Sequence, residues 1–480
     1  MKFFINKIWL YFTLYLSYLF FFLYIWLDRY FGEVDIEQFL FFLLLGFDGL
    51  IDTDDYIVNK FIELCILLPF LLLLITKILE KIFKKIPSSK NFKRFINFIP
   101  NLILIFSVVI LFTKLSFFSL TKSLKSNEDF IAKKYIKPDN IITNPKKDNL
   151  ILIYVESLEK AFSDVEIFNE NLIQDIDESS LNGKSIEYFN QLKYTNWTIA
   201  GIVASQCGIP LKPISIFDTK NKGKHQRHIF GLKTFLPKAV CLGDILKRNG
   251  YNNIFINGVD LDFVGTGLFF NNHGYDELYG KNEFKKKSLN FDPGSWGGAP
   301  HDSFLFDFAK KRILDFKDNQ KPFNLTLLTT DTHAPNGFLD KKCKINGNQF
   351  NDVVKCTSYN LKNFVKFIND ELPNNTKIII IGDHLFPEPN KIGITESVKE
   401  RSIYNMFISN DRFIFKRNRI NHYDLFPTIL NFINFEFENN KLGLGFSALK
   451  EFKIKEYDNH IEYLNKNIQN RSKTYENFYN

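Results

Sequence analysis

The stretch Leu150-Ile151-Leu152-Ile153-Tyr154-Val155-Glu156-Ser157 decides the fold of this chain. Its apolar part is rich in branched residues, is too short for a typical helix, and ends in two polar residues. A strand that is buried on both faces of a parallel sheet has this composition. The stretch therefore predicts a parallel sheet with Glu156 at the carboxyl end of one strand.

Three further runs of the same kind follow at 253–256, 323–328 and 377–381, separated by stretches long enough for helices. Strands that alternate with helices predict an α/β fold, with a mainly parallel sheet flanked by helices. Functional residues of such folds lie at the carboxyl ends of the strands. The polar residues that follow the three runs are Asn257 and Asp260, Asp331 and His333, and Gly382, Asp383 and His384.

Thr198 is the candidate nucleophile. Small and apolar residues follow it at helical spacing after a polar, aromatic lead-in, which predicts that a helix begins there with free backbone N–H groups beside it. Such a helix start can hold a phosphate, and a hydroxyl there can attack phosphorus when a base or metal lowers its pKa. The ordinary alternative is a helix N-cap.

Glu156, Asp383 and His384 are expected to converge with Thr198 at one edge of the sheet. Oxygen ligands with one imidazole suit Mn²⁺, Mg²⁺ or Zn²⁺. A metal on the threonine oxygen would favour the alkoxide and lead to a phosphothreonine intermediate. Taken singly, Glu156 could be a helix N-terminal acid and Asp383-His384 a loop pair, but their joint placement after strands favours the site.

Phe is densest in the N-terminal part, where 21 of the 54 Phe residues lie within residues 1–120. Three apolar segments, roughly 8–27, 57–79 and 95–120, are long enough to span a bilayer as helices. A fourth run, 36–51, is short and carries acidic residues, which indicates an interfacial helix on the outer face. We expect a transmembrane region over 1–120, a polar linker over 121–149, a catalytic domain over 150–450 and a charged tail over 451–480.

Charge in the loops predicts the orientation. Lys and Arg crowd residues 77–94 while the first connection is acidic, so the second connection faces the cytoplasm, and Lys2 and Lys7 place the N-terminus there too. Three crossings then put everything after about residue 120 outside the cytoplasm, in the periplasm if the membrane is an inner membrane. The net charge of +8 is scattered and no basic helix or aromatic RNA-binding motif occurs, so nucleic acid is not an expected partner.

Five cysteines are present, and Cys65 lies in an apolar run. The other four lie in the later region, where two disulfides can form if that region is outside the cytoplasm. Short spacing favours Cys343 with Cys356, which leaves Cys207 with Cys241. Metal binding by these thiols is disfavoured because no C-x-x-C pair occurs.

Several motifs together resemble the alkaline phosphatase/sulfatase superfamily, and within it the membrane-bound phosphoglycerol transferases, relatives of the lipoteichoic acid synthases. The resemblance covers about residues 150–445. It implies a metal site of Glu156, Thr198, Asp383 and His384, with Thr198 as nucleophile and His333 touching the glycerophosphate of the donor. The motifs, in chain order, are Val155-Glu156-Ser157-Leu158-Glu159, Asn196-Trp197-Thr198, Asp331-Thr332-His333-Ala334-Pro335, Gly382-Asp383-His384 and Tyr423-Asp424-Leu425-Phe426-Pro427-Thr428-Ile429-Leu430.

At two places the sequence departs from the motifs of related enzymes, which narrows the activities that the resemblance implies. The C/S-x-P-x-R motif of sulfatases is absent, which disfavours sulfate-ester hydrolysis. A Phe-Trp-Asn-Arg-like segment of lipoteichoic acid synthases is replaced by residues 263–267, which argues against polyglycerophosphate polymerisation. Residues 257–265 with His273-Gly274-Tyr275 look more like the enzymes that decorate periplasmic glucans, where cysteines like Cys207 and Cys241 recur.

Further substrate-binding candidates are Asp260, Trp296, His301 and Asp302. The Gly-rich stretch 296–302 could form a lip over the site with Trp296 against a sugar or glycerol, or it could be a loop whose Asp302 caps the next helix.

The expected protein is an inner-membrane enzyme that moves phosphoglycerol from phosphatidylglycerol, through Thr198, to a periplasmic glycan, with one divalent ion, preferably Mn²⁺. The alternatives are a phosphoethanolamine transferase and a non-catalytic protein that binds envelope lipid or glycan.

Overall fold

The structure is a computed structural model that describes residues 2–31, 36–45, 55–83, 90–117, 129–138, 141–143, 147–212, 233–317, 321–395, 398 and 400–479. The chain divides into two compact units. The first comprises Met1–Phe42 and Asp54–Lys125, and the second comprises Leu43–Thr53 and Ser126–Asn480.

The N-terminal part is helical, as its apolar runs predict. Its elements are helices Lys2–Phe31, Ile36–Leu45, Asp55–Phe61, Leu68–Phe83 and Lys90–Lys114, with a π-helical stretch Ile62–Leu67. Two helical segments, Ile8–Tyr30 and Val58–Lys81, are long and apolar enough to span a membrane by length and composition.

The third predicted span and the interfacial helix remain predictions. Helix Lys90–Lys114 covers most of the third span, but its described apolar part, Phe98–Lys114, is shorter than the other two. Residues 118–120 of that span lie outside the described residues. Helix Ile36–Leu45 forms in the fourth run, whose residues 46–51 also lie outside them.

The second unit is built on a mainly parallel sheet, so the predicted α/β fold is confirmed. Six strands follow the order β5-β4-β6-β2-β7-β8, and only β8 runs antiparallel to its neighbour. The described strands are β1 (Ile141–Thr143), β2 (Asn149–Val155), β3 (Tyr188–Asn190), β4 (Asn252–Asn257), β5 (Glu277–Tyr279), β6 (Phe323–Leu328), β7 (Thr376–Gly382), β8 (Asn405–Ile408), β9 (Arg419–Asn421), β10 (Phe435–Phe437), β11 (Lys441–Leu442) and β12 (Gly445–Phe446).

The four predicted strands correspond to β2, β4, β6 and β7, and these form the centre of the sheet. Strands β5 and β8 were not predicted; both lie at the edges, where short strands carry a weaker apolar pattern. The smaller pairs are β1 with β10, β3 with β9, and β11 with β12. All seven residues of β2 are buried, as a strand covered on both faces requires.

Helices cover both faces of this sheet. The longest described helices of the unit, Asp302–Lys317 and Gln349–Glu371, pack with Ile151 and Ile153 in the main apolar core. The remaining α-helices of the unit are Phe130–Lys134, Val165–Phe168, Glu178–Leu181, Thr198–Cys207, Leu242–Arg248, Thr266–Asn272, Lys281–Lys286, His422–Phe432, Ile454–Asn467 and Lys473–Glu476.

The two predicted disulfides are present. Cys207 pairs with Cys241, and Cys343 pairs with Cys356. Cys207 is the last residue of helix Thr198–Cys207, and Cys241 is the N-cap of helix Leu242–Arg248. The first disulfide therefore fixes the end of the helix that begins at the candidate nucleophile.

Residues on both sides of the predicted catalytic domain also pack into the second unit. Phe130 and Ile131, from the predicted linker, are buried, and β1 pairs with β10. Part of that linker, residues 121–128, 139–140 and 144–146, lies outside the described residues.

The predicted tail forms helix Ile454–Asn467, which buries Tyr457, His460 and Leu464. These residues recur at helical spacing, but charged and Asn residues between them hide the pattern in the sequence.

Tyr154 connects the central strand to helix Thr198–Cys207. Its hydroxyl lies 2.7 Å from Ser205 Oγ and accepts a hydrogen bond from Gln206 Nε2 at 3.2 Å. The side chain is fully buried, so its hydroxyl depends on these partners. The helix is thus held to the sheet by polar contacts as well as by apolar packing.

We expect Tyr154→Phe to lower the free energy of unfolding by about 1–2 kcal/mol, because buried hydrogen-bonding groups lose a partner. Chemical denaturation of the full chain in detergent measures the change. Tyr359→Phe is the control, since that side chain is 58% exposed. Equal stability of the two variants would contradict the role given to Tyr154.

Candidate active site

Two neighbouring strands bring Glu156 and Asp383 together. Val155, the last residue of β2, pairs with Gly382, the last residue of β7, so the next residues form adjacent turns. Asp383 Oδ1 accepts hydrogen bonds from the backbone N–H of Ser157 at 2.8 Å and of His384 at 2.9 Å. One carboxylate oxygen therefore joins the two turns, and the predicted convergence is observed.

Thr198 lies beside these turns, at the first residue of its helix. Its Oγ1 is 3.4 Å from Glu156 Oε2 and 3.4 Å from His384 Nε2. Both separations are at the long end of the hydrogen-bond range. The hydroxyl thus lies between a carboxylate and an imidazole, next to the N-terminus of a helix.

His384 presents Nε2 to the carboxylates. Its Nδ1–H donates a hydrogen bond to the Leu385 carbonyl at 2.8 Å, which assigns the proton of the neutral ring to Nδ1. Nε2 then carries a lone pair and lies 3.5 Å from both Glu156 Oε1 and Asp383 Oδ2. Metal-binding histidines are held in this way through their second nitrogen.

The buried charges at this edge are not balanced by hydrogen bonds. Among the described residues, Asp383 Oδ2 is buried without a hydrogen-bond partner. Burial, with the nearby charge of Glu156, raises the pKa of Asp383 to about 7. One ligand atom from each of Glu156, Asp383 and His384 lies within 4.8 Å of the others. These residues fit a divalent cation, which would partner the bare oxygen and neutralise the cluster.

The other pKa directions agree with this arrangement. Burial raises the pKa of Glu156, but the charges of His333 and His384 outweigh it and leave that pKa below its usual value. Burial lowers the pKa of His384, but Asp383 and Glu156 raise it above its usual value. The imidazole therefore favours the charged form of Glu156, and the two carboxylates favour the protonated form of the imidazole.

His422 and Gly201 support Asp383 from behind. His422 Nε2–H donates to the Asp383 carbonyl at 2.7 Å, and burial lowers the pKa of this histidine to about 3. Gly201, in the Thr198 helix, approaches the same carbonyl so closely that a Cβ there would lie 2.3 Å from the oxygen. Helix Thr198–Cys207 and the turn of Asp383 are therefore in close backbone contact.

Trp296 and His333 form one stacked pair. Their ring centroids are 4.4 Å apart and nearly parallel, and Phe263 meets Trp296 edge-on at 4.9 Å. The Nδ1–H of His333 donates to the Ala334 carbonyl at 2.9 Å, and its charge lowers the pKa of Glu156. Because His333 covers one face of the indole, Trp296 can offer a sugar at most its other face or its edge.

His301 and Asp302 are buried supports of the loop that carries Trp296. His301 Nδ1–H donates to Asp331 Oδ1 at 2.8 Å, and Asp302 N–H donates to Asp331 Oδ2 at 2.9 Å. Asp302 Oδ1 accepts from the backbone N–H of Thr330 at 2.8 Å. Asp331, rather than Asp302, therefore accepts the backbone hydrogen bond at the start of helix Asp302–Lys317. The carboxylates of Asp302 and Asp331 connect the loop to the segment that follows β6. Burial and the charge of Asp331 raise the pKa of Asp302 well above its usual value.

Asp260 is engaged within its own loop. Its Oδ1 accepts from the backbone N–H of Asp262 at 2.9 Å, and its Oδ2 accepts from Asn282 Nδ2. These contacts fold the loop after β4, and substrate binding by Asp260 remains a prediction.

A second group of potential ligands, Cys241, Asp244 and His273, lies elsewhere in the unit. Cys241 is held in a disulfide, and Asp244 Oδ2 accepts from the Cys241 N–H and from His273 Nδ1–H, both at 2.9 Å. These contacts give the group a structural role, because they connect the start of helix Leu242–Arg248 to His273.

Sequence reasoning missed the supports of the metal turns. Ser157 was noticed only as the polar residue after Glu156, and no motif marked His422 as a support. Gln191 belongs to no recognisable motif, yet its Oε1 accepts a hydrogen bond from the Leu385 N–H at 2.8 Å. Supports of this kind leave no periodic pattern, so only the folded chain reveals them.

The sheet order and the polar turns at its carboxyl edge define an alkaline phosphatase-like α/β protein. The Sulfatase family model matches residues 148–435, more than half of the chain. The chain belongs to the sulfatase family, and the superfamily expected from its motifs is confirmed.

Named relatives agree with this assignment. Phosphoglycerol transferase I of Escherichia coli O127:H6 is 34% identical over 345 residues, which are 68% of this chain and 42% of that protein. The chain thus spans less than half the length of the curated relatives it matches.

Among solved structures, an alkaline phosphatase superfamily protein from Vibrio parahaemolyticus has a TM-score of 0.49 and 21% identity, covering 70% of this chain and 78% of that one. Lipoteichoic acid synthase LtaP from Listeria monocytogenes has a TM-score of 0.48 and 16% identity, covering 65% and 79%.

We expect Gly201→Ala to weaken metal binding and to destabilise the protein, because the added methyl group meets the Asp383 carbonyl at 2.3 Å. The helix must then move away from the metal turn, at a cost of about 1–3 kcal/mol. Mn²⁺ titration and denaturation of the full chain measure the two effects. Wild-type values for both would show that the contact relaxes without consequence.

We expect His422 to make the protein less stable as the pH falls. Its folded pKa of about 3 lies below the ordinary histidine pKa of 6.5, so the unfolded chain binds the extra proton between these values. Stability from this group is complete above pH 6.5 and declines by about 1.4 kcal/mol per pH unit below it.

His422→Gln keeps an N–H donor without this titration, so its stability should fall less steeply than that of the wild type between pH 6.5 and 5. Denaturation at several pH values provides the comparison. The raised pKa values of His301 and His384 act in the opposite direction in both proteins and cancel in the difference. Parallel pH profiles would show that His422 does not remain neutral in the fold.

Proposed function

We propose that this protein transfers phosphoglycerol from phosphatidylglycerol to a hydroxyl of a periplasmic glycan, with Thr198 as the nucleophile. The observation that carries the proposal is the position of Thr198 Oγ1, 3.4 Å from both Glu156 and His384 at the start of a helix. The 34% identity to a phosphoglycerol transferase over 345 residues supports this choice of group.

Glu156, Thr198, Asp383 and His384 would hold one divalent ion, with Mn²⁺ preferred, because the oxygen donors favour it over Zn²⁺ and the imidazole disfavours Mg²⁺. When bound, such an ion supplies a Lewis acid that lowers the pKa of the threonine hydroxyl. The bare Asp383 Oδ2 and the Nε2 lone pair of His384 are the features that support this ligand set.

The reaction has two displacements at phosphorus. In the first, Thr198 Oγ1 forms a bond to phosphorus while the bond to the diacylglycerol oxygen breaks, and diacylglycerol leaves with a proton. In the second, the glycan oxygen forms a bond to phosphorus, the phosphothreonine bond breaks, and the acceptor proton passes to Thr198 Oγ1, which restores the hydroxyl. The backbone N–H groups at the start of the Thr198 helix are suited to the phosphoryl oxygens.

His333 is proposed to contact the glycerophosphate. It lies close enough to Glu156 to lower the pKa of that carboxyl, and its Nε2 is the ring nitrogen not engaged with the Ala334 carbonyl. Trp296 would hold the ring of His333 in place by stacking, while His301 and Asp302 would hold the loop of Trp296. Asp260 would bind substrate only by exchanging its contacts within the loop.

The proposed location is the inner membrane, with three crossings and the catalytic unit in the periplasm. Two helices suited to membrane spans and the basic connection between the second and third segments support this orientation. Two disulfides fit an oxidising compartment. A membrane anchor suits a donor whose acyl chains remain in the bilayer while only its head group reaches the site.

Intact-mass spectrometry tests the proposal. The full chain in detergent micelles is incubated with phosphatidylglycerol and Mn²⁺, and we expect a glycerophosphate adduct that peptide mapping places on Thr198. Thr198→Ala should lose the adduct. Thr198→Ser keeps a hydroxyl at the same position and should retain it at a lower level.

The choice of donor is tested in parallel with phosphatidylethanolamine. An adduct from that lipid alone would replace phosphoglycerol with phosphoethanolamine as the group transferred. Persistence of the adduct in Thr198→Ala would refute the assigned nucleophile. No adduct from either lipid would favour a protein that binds envelope lipid or glycan without catalysis.

A further inference from the structure

Glu159 and Arg401 form a partly buried ion pair close to the proposed metal site. Glu159 follows Glu156 by three residues and is fully buried. Arg401 Nε donates to Glu159 Oε2 and Arg401 Nη2 donates to Glu159 Oε1, both at 2.9 Å. This two-point contact fixes the plane of the guanidinium group relative to the carboxylate.

The same guanidinium group makes a third contact with the other metal turn. Arg401 Nη2 donates to the Phe386 carbonyl at 2.7 Å, and Phe386 follows His384 by two residues. A single side chain therefore joins the segment after β2, which carries Glu156, to the segment after β7, which carries Asp383 and His384.

Backbone hydrogen bonds bring Arg401 to this position. The N–H of Lys160 donates to the Ser402 carbonyl at 2.8 Å, and the N–H of Tyr404 donates to the Leu158 carbonyl at 3.0 Å. These backbone hydrogen bonds align the chain segments that carry Glu159 and Arg401 independently of the ion pair. The ion pair then adds the link to Phe386 that the backbone contacts do not provide.

One residue, Leu385, separates Phe386 from His384. His384 Nδ1–H donates to the Leu385 carbonyl, and the N–H of Leu385 donates to Gln191 Oε1 at 2.8 Å. The segment that orients the imidazole is therefore held at Leu385 by Gln191 and at Phe386 by Arg401. Displacement of this segment would rotate the Nε2 lone pair away from Glu156 and Asp383.

We propose that Arg401 is a positioning residue which, paired with Glu159, sets the metal affinity of the site by holding the turns of Glu156 and His384 in register. The inference rests on the metal site of the proposed function. It concerns the geometry of the ligands, and Arg401 itself touches neither the ligands' donor atoms nor Thr198 in the contacts described. Lysine cannot replace arginine here, because one ammonium group cannot match the two-point contact and the carbonyl together.

Isothermal titration of the full chain in detergent with Mn²⁺ tests the inference. We expect Arg401→Lys to bind Mn²⁺ about 10-fold more weakly than the wild type, the lower end of the effect of residues that orient metal ligands. The positive charge is retained, so a weaker affinity reports the lost geometry.

Arg312→Lys is the matched control. Arg312 is 22% exposed, as is Arg401, and contacts a carboxylate, Glu277, at 2.8 Å. Glu277 lies in edge strand β5, with β4 and β6 between it and β2. This variant should lose a comparable ion pair and keep the wild-type affinity for Mn²⁺.

Glu159→Gln provides a second variant if Arg401→Lys does not fold, as judged by circular dichroism and by melting in EDTA. It keeps the shape of the side chain and one acceptor oxygen, so we expect a weaker affinity by a smaller factor.

Wild-type affinity in the folded variants, or an equal loss in Arg312→Lys, would overturn the positioning role while the proposed function stands. Absence of Mn²⁺ binding by the wild type would instead remove the metal site, and the inference with it.

Discussion

The structure depends on a concentration of buried charge at the adjoining ends of two parallel strands. Glu156 and Asp383 follow β2 and β7, and both carboxylates are withdrawn from water. Asp383 uses one oxygen to accept two backbone N–H groups, while its other oxygen has no hydrogen-bond partner in the part of the chain that the structure describes. Buried carboxylates without compensation are costly, and a cation held between them is the arrangement that offsets this cost. Thr198 is a candidate nucleophile only because its hydroxyl lies beside that cluster.

Much of the surrounding fold serves to keep backbone segments in place around the cluster. Gly201 allows the Thr198 helix to approach the Asp383 carbonyl, and His422 donates to the same carbonyl. The disulfide at Cys207 fixes the far end of that helix, while Arg401 spans the two turns. These groups act on peptide units rather than on the reacting atoms, so their effects would appear first in metal affinity and stability.

The site residues expected from the sequence fall into two kinds. Thr198 and the three other proposed ligands meet directly, because strand ends and a helix start are local features that sequence pattern reveals. The substrate candidates are engaged mainly by other groups of the protein, as in the stack of Trp296 on His333 and the bond from His301 to Asp331. The sequence pattern identified them as polar or aromatic loop residues. It could not show whether each side chain holds the loop in place or is available to contact a substrate. That distinction depends on which face or atom of each side chain is already occupied.

By itself, the sequence determined the central strands, the start of the Thr198 helix, the disulfide pairs and the family, since each depends on local composition, spacing or a contiguous motif. Tertiary structure alone decided which oxygen of Asp383 stays bare, which face of Trp296 is covered, and that residues of the predicted tail belong to the packed unit. It also decided that Arg401 pairs with Glu159, 242 residues away in the chain. Hydrogen bonds and ion pairs between such distant residues form only when the fold has brought the segments together, and they leave no periodic trace in the sequence.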